Sequence, residues 1–172
     1  MDHTRWLDDE EQRTWRAFLA AQRLVSEKVE RRLQTAAGMP QAYYEILVRL
    51  SEAPCRTLRM SVLADSAMSS RSRVSHAVAR MEEAGWIVRR ACPTDRRGQL
   101  AQLTEDGWQV LVAAAPEHVE SVREAVFDAL TPDQQAALRD AAEAIVAHLS
   151  DRPEWPVTGD SGPDGPDPAR AS

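Results

Sequence analysis

The sequence predicts a mainly α-helical chain with one small β-hairpin. Apolar residues recur at three- and four-residue steps before and after the middle of the 172-residue chain, which is the spacing of amphipathic helices. Near the middle, aromatic and β-branched residues at 86–88 precede a charged turn, as in a β-hairpin. The length suits one domain, or one core with a helical extension, and is enough to bury a core without disulfides.

Residues 1–38 form the first predicted unit, a long helix. Gly38 and Pro40 are typical of a helix stop followed by a new start. A second helix is expected over residues 41–51, and Pro54 ends it. The apolar positions of the first helix are Trp15, Phe18, Leu19, Val25, Val29 and Leu33.

Two short helices joined by a turn of small residues come next. Ser61 can cap the first, and Ser69 or Ser70 can cap the second, which extends to about Ala84 before Gly85 stops it. Helices in this arrangement form a helix-turn-helix. The second helix carries an apolar stripe of Val74, Ala77, Val78 and Met81.

The hairpin follows directly. We expect a strand at residues 86–88, a turn over residues 93–98 in which Gly98 lets the chain reverse, and a return strand over residues 99–103. Together with the preceding helices, the hairpin makes residues 39–104 a winged helix-turn-helix core.

Two more helices are predicted in residues 105–150. Thr104 caps the first of them, and Pro116 is expected to kink or restart it. Thr131 begins a capping box that opens the last helix. Residues 151–172, rich in Pro, Gly and Asp, are predicted to be a disordered acidic tail. Coiled-coil spacing appears in the first of the two helices at Trp108, Val112, Ala115, Val119, Val122 and Val126.

The charge distribution indicates a polyanion as the partner. The whole chain carries a net charge of −6, yet residues 54–104 hold nine arginines and four acidic residues, a net charge of +5. A basic island in an acidic chain is typical of a nucleic-acid-binding module. The alternative is a solvated arginine-rich surface.

Other classes of function find no support in the sequence. No phosphate loop, nucleophile elbow or plausible carboxylate pair indicates an enzyme. The two cysteines, Cys55 and Cys92, and the four scattered histidines have no metal-ligand spacing, so we expect neither a metal nor a cofactor. The acidic first residues are unlike a signal peptide and no stretch resembles a membrane span, so the cytoplasm is the default location.

Four segments in order resemble the MarR family of bacterial transcription regulators. They read SSRSRVSH from Ser69, MEEAGWIVRR from Met81, DRRG from Asp95 and LTEDG from Leu103. The resemblance covers roughly residues 10–150. It implies a transcription regulator, usually a repressor, that binds double-stranded DNA and is not an enzyme.

The helix that begins at about Ser70 is the candidate for reading DNA. Its free N–H groups suit a backbone phosphate, and donors on its exposed face suit base edges. The resemblance implies that Ser75 and His76 touch bases and that Arg80 meets phosphate. The alternative is that arginines here only neutralise phosphate or pair with nearby glutamates. The full candidate set is Ser69, Ser70, Arg71, Arg73, Ser75, His76 and Arg80.

The hairpin supplies the second set of candidates. A narrow minor groove attracts an inserted arginine through its negative potential. The resemblance places Arg97 in that groove, Asp95 in an ion pair that holds the loop, and Arg96 near phosphate. The alternative is a solvated surface turn. Cys92, beside this turn, is either a reactive thiol or an inert one.

The resemblance also implies a homodimer and an effector. The helices at the two ends of the chain would form the dimer, and its two-fold symmetry would match a palindromic operator; packing of the coiled-coil face within one chain is the alternative. An aromatic or phenolic ligand would enter a pocket whose candidates are Trp15, Tyr43, Tyr44 and Trp108, unless these are simply core aromatics. The competing function is a winged-helix protein-interaction module that does not bind DNA.

Overall fold

The computed structural model describes residues 4–66, 71–92 and 95–149, and it describes every side chain there except those of residues 66, 71 and 95–97. The prediction of a mainly α-helical chain with a small β-hairpin is confirmed. Ser69 and Ser70, the DNA-contact candidates before the second short helix, lie outside the described residues, and so does the predicted tail.

Two helices open the chain. Helix α1 spans Asp9–Ala37, and the Asp8 carboxylate caps it by accepting the N–H of Glu11 at 2.8 Å. It ends at Gly38, whose φ of 61° is the left-handed conformation that glycine tolerates best. Helix α2 spans Gln41–Glu52, one residue longer than predicted.

The helix-turn-helix follows a short strand that the sequence analysis missed. A 3₁₀ turn at Pro54–Arg56 leads into strand β1, Thr57–Arg59. Helix α3 spans Met60–Ser66 and helix α4 spans Arg71–Glu83.

The hairpin differs from its prediction. Strand β2 spans Ile87–Cys92, so Trp86 lies in the turn before it, and strand β3 spans Asp95–Leu103. The expected turn over residues 93–98 overlaps this strand, because Gly98 lies within β3 and Cys92 pairs with Asp95, while residues 93 and 94 lie outside the described residues. The register between the two strands shifts between Ala91, which pairs with Gln99, and Cys92, which pairs with Asp95. The sheet is antiparallel with order β1-β3-β2, and β1 pairs with the end of β3 nearer α5.

Helix α5 spans Glu105–Ala125 and helix α6 spans Pro132–Leu149, with a 3₁₀ turn at Phe127–Ala129 between them. The helix does not restart at Pro116, contrary to one expectation, because α5 continues through it. The capping box at Thr131 is confirmed: its hydroxyl accepts the N–H of Gln134, and its own N–H donates to the Gln134 side chain.

The core lies where α2, α4, α5, the sheet and the second half of α1 meet. Leu33, Leu47, Leu50, Val78 and Met81 are fully buried there. Two ion pairs join α1 to α5 beside this core, Lys28–Glu124 at 2.7 Å and Arg32–Glu117 at 2.6 Å. Within the described ranges, no helix is both long and apolar enough to span a bilayer.

Packing of the terminal helices is incomplete within one chain. The buried residues of α5 are Gly107, Leu111, Ala114 and Ser121, one position away from the predicted coiled-coil face, because that is the side turned toward α1 and α2. The predicted face stays half-buried or exposed. Helix α6 buries none of its residues, and Leu149 is 74% exposed.

Candidate nucleic-acid interface

Helix α4 separates a buried face from an exposed one. Val74, Ala77, Val78 and Met81 are buried, as the apolar stripe predicted. Arg73, Ser75, His76 and Arg80 are all exposed. The core therefore holds the helix by one side, and the opposite side presents hydrogen-bond donors of the kinds that read base edges and phosphates.

The individual α4 candidates differ in their surroundings. The Arg80 guanidinium lies 3.1 Å from the Glu83 carboxylate, but both side chains are largely exposed, so this ion pair is weak and can open toward a phosphate. Arg71 is the first residue of α4, and its side chain is outside the described part.

One ion pair joins α4 to the hairpin. The Glu82 carboxylate accepts the Arg89 side-chain N–H at 2.7 Å and the Arg89 backbone N–H at 3.1 Å. These hydrogen bonds hold the pKa of Glu82 below its usual range. Because both groups are partly shielded from solvent, the contact fixes the end of α4 against β2.

The hairpin, which we call the wing, consists of β2 and β3. Asp95, Arg96 and Arg97 are the first residues of β3, next to the reversal, and their side chains are outside the described part. Arg90 of β2 is exposed, in contrast to Arg89, which binds Glu82. The backbone thus places the three candidates together at the start of β3.

Thr104 and Gly107 hold the turn after α4, the wing and α5 together. They are the threonine and the glycine of the LTEDG segment, so these contacts explain that motif. The Thr104 hydroxyl accepts the N–H of Gly107 at 3.0 Å, which caps α5, and donates to the Gly85 carbonyl at 2.7 Å. A Cβ on Gly107 would overlap the Trp86 carbonyl oxygen and lie 2.9 Å from its carbonyl carbon. Glycine is therefore required for α5 to approach the turn after α4 this closely.

The proposed pocket residues do not form one cluster. Trp15 is 50% exposed and stacks on Phe18, with ring centroids 5.9 Å apart. It lies fourteen residues before Val29, the first buried residue of α1, or about 21 Å along the helix axis. Within one subunit this separates it from the other three candidates.

Tyr43, Tyr44 and Trp108 lie against the core. Tyr43 and Trp108 are partly buried, and one face of the Trp108 ring is covered by the Arg56 guanidinium, 4.4 Å from the ring centroid. Tyr44 is buried, and burial raises the pKa of its hydroxyl. Its ring lies 4.2 Å from the ring of His118 on α5.

Sequence reasoning missed His118. Its Nδ1 is buried and has no hydrogen-bond partner among the described residues. Burial lowers the pKa of the imidazole, while the Glu45 carboxylate raises it by a smaller amount. Its position one turn after Ala114 on α5 was the available signal, since Ala114 and Leu111 form the buried face.

Among the described residues, no three His, Cys, Asp or Glu side chains are grouped so that they could hold a metal ion. Cys55 is exposed and Cys92 is buried.

Comparisons with known proteins agree with this geometry. A family model described as MarR family matches residues 37–98. The structure of Sco3205 from Streptomyces coelicolor, a MarR family transcriptional regulator in complex with DNA, is 50% identical, with a TM-score of 0.82, over 86% of this chain and 92% of that one. AbsC, a MarR family regulator from the same organism, is 44% identical, with a TM-score of 0.80, over 85% and 98%.

A more distant similarity is to a curated protein. The transcriptional regulator PecS of Dickeya dadantii (strain 3937) is 28% identical over 89 residues. The match spans 52% of this chain and about half of PecS, 53%.

A helix held by its apolar side, with a charged wing beside it, defines a winged helix-turn-helix protein of the kind found in transcription regulators. At 50% identity to Sco3205 over nearly the full length of both chains, this chain belongs to the MarR family of transcriptional regulators.

Proposed function

We propose that the chain is a homodimeric, sequence-specific DNA-binding regulator that places α4 in the major groove and the wing in the adjacent minor groove. The observation that carries this proposal is the exposed face of α4, where Arg73, Ser75 and His76 are presented by a helix whose other side is buried. The DNA complex of Sco3205 supports it, because that relative is 50% identical.

The roles of single residues follow from this arrangement. Ser75 and His76 contact base edges, and Arg73 contacts a base or a phosphate. Ser69, Ser70, Arg71 and Arg80 contact the phosphates that flank them. Arg97 enters the minor groove, with Arg96 on phosphate and Asp95 holding the tip.

The unpacked terminal helices support the dimer. The first half of α1 exposes Trp15, Phe18 and Leu24, and α6 exposes Leu138 and Ile145. Large apolar side chains that are exposed together along a helix often mark a protein–protein contact. A second copy would bury these faces, and the resulting two-fold symmetry would suit a palindromic operator.

We further propose that the chain is a cytoplasmic repressor released by a small aromatic or phenolic ligand. Tyr43, Tyr44 and Trp108 are the residues to which such a ligand would bind, next to the contact between α2 and α5. Trp15 could join them only from the other subunit of the dimer, given its distance from the core along α1.

The test replaces Arg97 with Ala. The operator is a duplex taken from the intergenic region beside the gene, and binding is measured by fluorescence anisotropy at physiological salt. We expect affinity to fall about tenfold or more, because a groove-inserted arginine supplies roughly 1–3 kcal/mol. The control is Arg139→Ala on α6, which removes the same charge far from the wing. Unchanged affinity in Arg97→Ala would refute the wing assignment.

The second candidate function is an interaction module without DNA binding. Salt dependence distinguishes the two, because neutralisation of phosphates makes DNA affinity fall steeply as salt rises. The exposed arginines of α4 favour the DNA-binding function over this one.

A further inference from the structure

We propose that Arg56 is a positioning residue that fixes the winged-helix core against α5, and so sets operator affinity without touching DNA. The proposal rests on the DNA-binding function proposed above, and it concerns a residue outside both the α4 face and the wing tip.

The Arg56 side chain bridges two parts of the fold. It belongs to the 3₁₀ turn between α2 and β1. Its guanidinium carbon lies 4.4 Å from the Trp108 ring centroid, and its Nη1 lies 3.1 Å from the Glu105 carboxylate. Trp108 and Glu105 are both in the first turn of α5, so one planar cation stacks on a ring and pairs with a carboxylate of the same helix end.

The backbone of this turn needs external support. Cys55 has φ 53° and ψ 27°, and Arg56 has φ 51°. Two consecutive residues with side chains in the left-handed region are disfavoured, and they persist only where surrounding contacts hold them. Local hydrogen bonds contribute, since the Thr57 hydroxyl donates to the Cys55 carbonyl at 2.8 Å. The Arg56 side chain adds long-range contacts with α5 to these local ones.

The position of the Arg56 contacts with Trp108 and Glu105 would let them affect DNA binding. Strand β1 follows the turn and pairs with β3, and α5 begins two residues after β3 ends. The turn, β1, β3 and α5 follow one another through pairing or chain connection, and the contacts of Arg56 link α5 back to the turn. These contacts lie at the junction between the winged-helix core and α5. In a dimer assembled through the terminal helices, the angle at this junction sets the separation of the two α4 helices, which must match about one turn of DNA.

The experiment compares Arg56→Ala with Glu105→Gln, Arg56→Lys and the control Arg139→Ala. We expect Arg56→Ala to weaken operator affinity about three- to thirtyfold, a typical range for coupling through a packed joint. The slope of log affinity against log salt should stay unchanged, because no phosphate contact is lost. Arg56→Lys keeps the charge but not the planar stacking, and Glu105→Gln keeps the stacking but not the ion pair, so each should give a smaller loss.

Two results would overturn the proposal. A slope reduced by about one unit would make Arg56 a phosphate contact, and an unchanged affinity would remove its positioning role. The four variants are compared at equal dimer content, checked by light scattering, so that a folding or assembly defect is not mistaken for lost positioning.

A second readout tests the bridge itself. In a protein that retains only Trp108 of its five tryptophans, Arg56→Ala should make that ring more accessible to quenching by acrylamide. Unchanged quenching would mean that the guanidinium does not cover the ring in solution. Failure of the unmutated protein to bind any duplex would instead refute the DNA-binding function and, with it, the effect on affinity.

Discussion

Thr104 and Gly107 show how two residues align three elements. The Thr104 hydroxyl caps α5 and also donates to the turn after α4, and Gly107 allows the backbone of α5 to pass directly against Trp86. The cap satisfies an N–H that would otherwise lack a partner at the helix start. The end of the proposed reading helix and the start of α5 are therefore held in contact by backbone as well as by side chains.

Replacing Gly107 with Ala should destabilise the protein. Alanine gains about 1 kcal/mol in helix propensity over glycine. The added methyl group, however, overlaps a backbone carbonyl that cannot move aside without displacing β2, so a net loss of about 2 kcal/mol is expected from overpacking. Urea unfolding measures it. The control is Ala113→Gly on the exposed side of α5, which should lose about 1 kcal/mol from propensity alone. A Gly107→Ala protein as stable as the original would contradict the close approach.

Among the elements, α5 carries two polar side chains, His118 and Ser121, that are shielded by the packing of neighbouring helices. The His118 ring lies tilted against the Tyr44 ring, with its Nδ1 buried, and Ser121 is buried one turn later with its hydroxyl donating to the His118 carbonyl at 2.8 Å. Burial disfavours the charged imidazolium and holds the pKa of His118 below its usual range, and the Glu45 carboxylate opposes only part of this effect.

The stability of the protein should therefore fall in mild acid. The unfolded chain takes up a proton on His118 below about pH 6.5, while the lowered pKa of the folded state resists this. Unfolding then binds a proton, and the free energy of unfolding decreases as pH falls from about 6.5 toward the folded pKa. Urea unfolding at a series of pH values measures this dependence.

The variant His118→Gln should flatten the pH dependence, whereas His148→Gln, at an exposed site on α6, should leave it as it is. A dependence that is equally steep in His118→Gln would show that other groups cause it.

How far the sequence predicts each element depends on where its stabilising contacts lie. Helix α4 and its buried stripe follow from the local spacing of apolar residues, and the family motifs placed the helix correctly. Strand β1 was missed because three residues carry no periodicity, and it exists only through pairing with β3. The turn predicted over residues 93–98 overlaps β3, because the pairing of Cys92 with Asp95, beyond a shift in register, extends that strand. The Arg56 contact with Trp108 was beyond prediction, since it joins residues distant in sequence.

At the scale of the whole molecule, the packing is uneven. The winged-helix core and the second half of α1 bury their apolar residues, whereas the first half of α1 and all of α6 leave theirs exposed. Exposed apolar faces at both ends of the chain, next to a basic core, are best explained by assembly with a second copy. In a dimer, the short row of exposed side chains on α4 would occur twice, once at each half of the operator. A single copy of this row would be too small for high specificity.

The mass of the protein–operator complex, measured by light scattering, tests this account most directly. For a duplex with a palindromic site we expect two chains per duplex, a protein mass of twice 19.1 kDa, and dimers in the free protein at micromolar concentration. One chain per duplex, or a free protein that remains monomeric, would contradict the proposal that paired reading helices and wings bind DNA together.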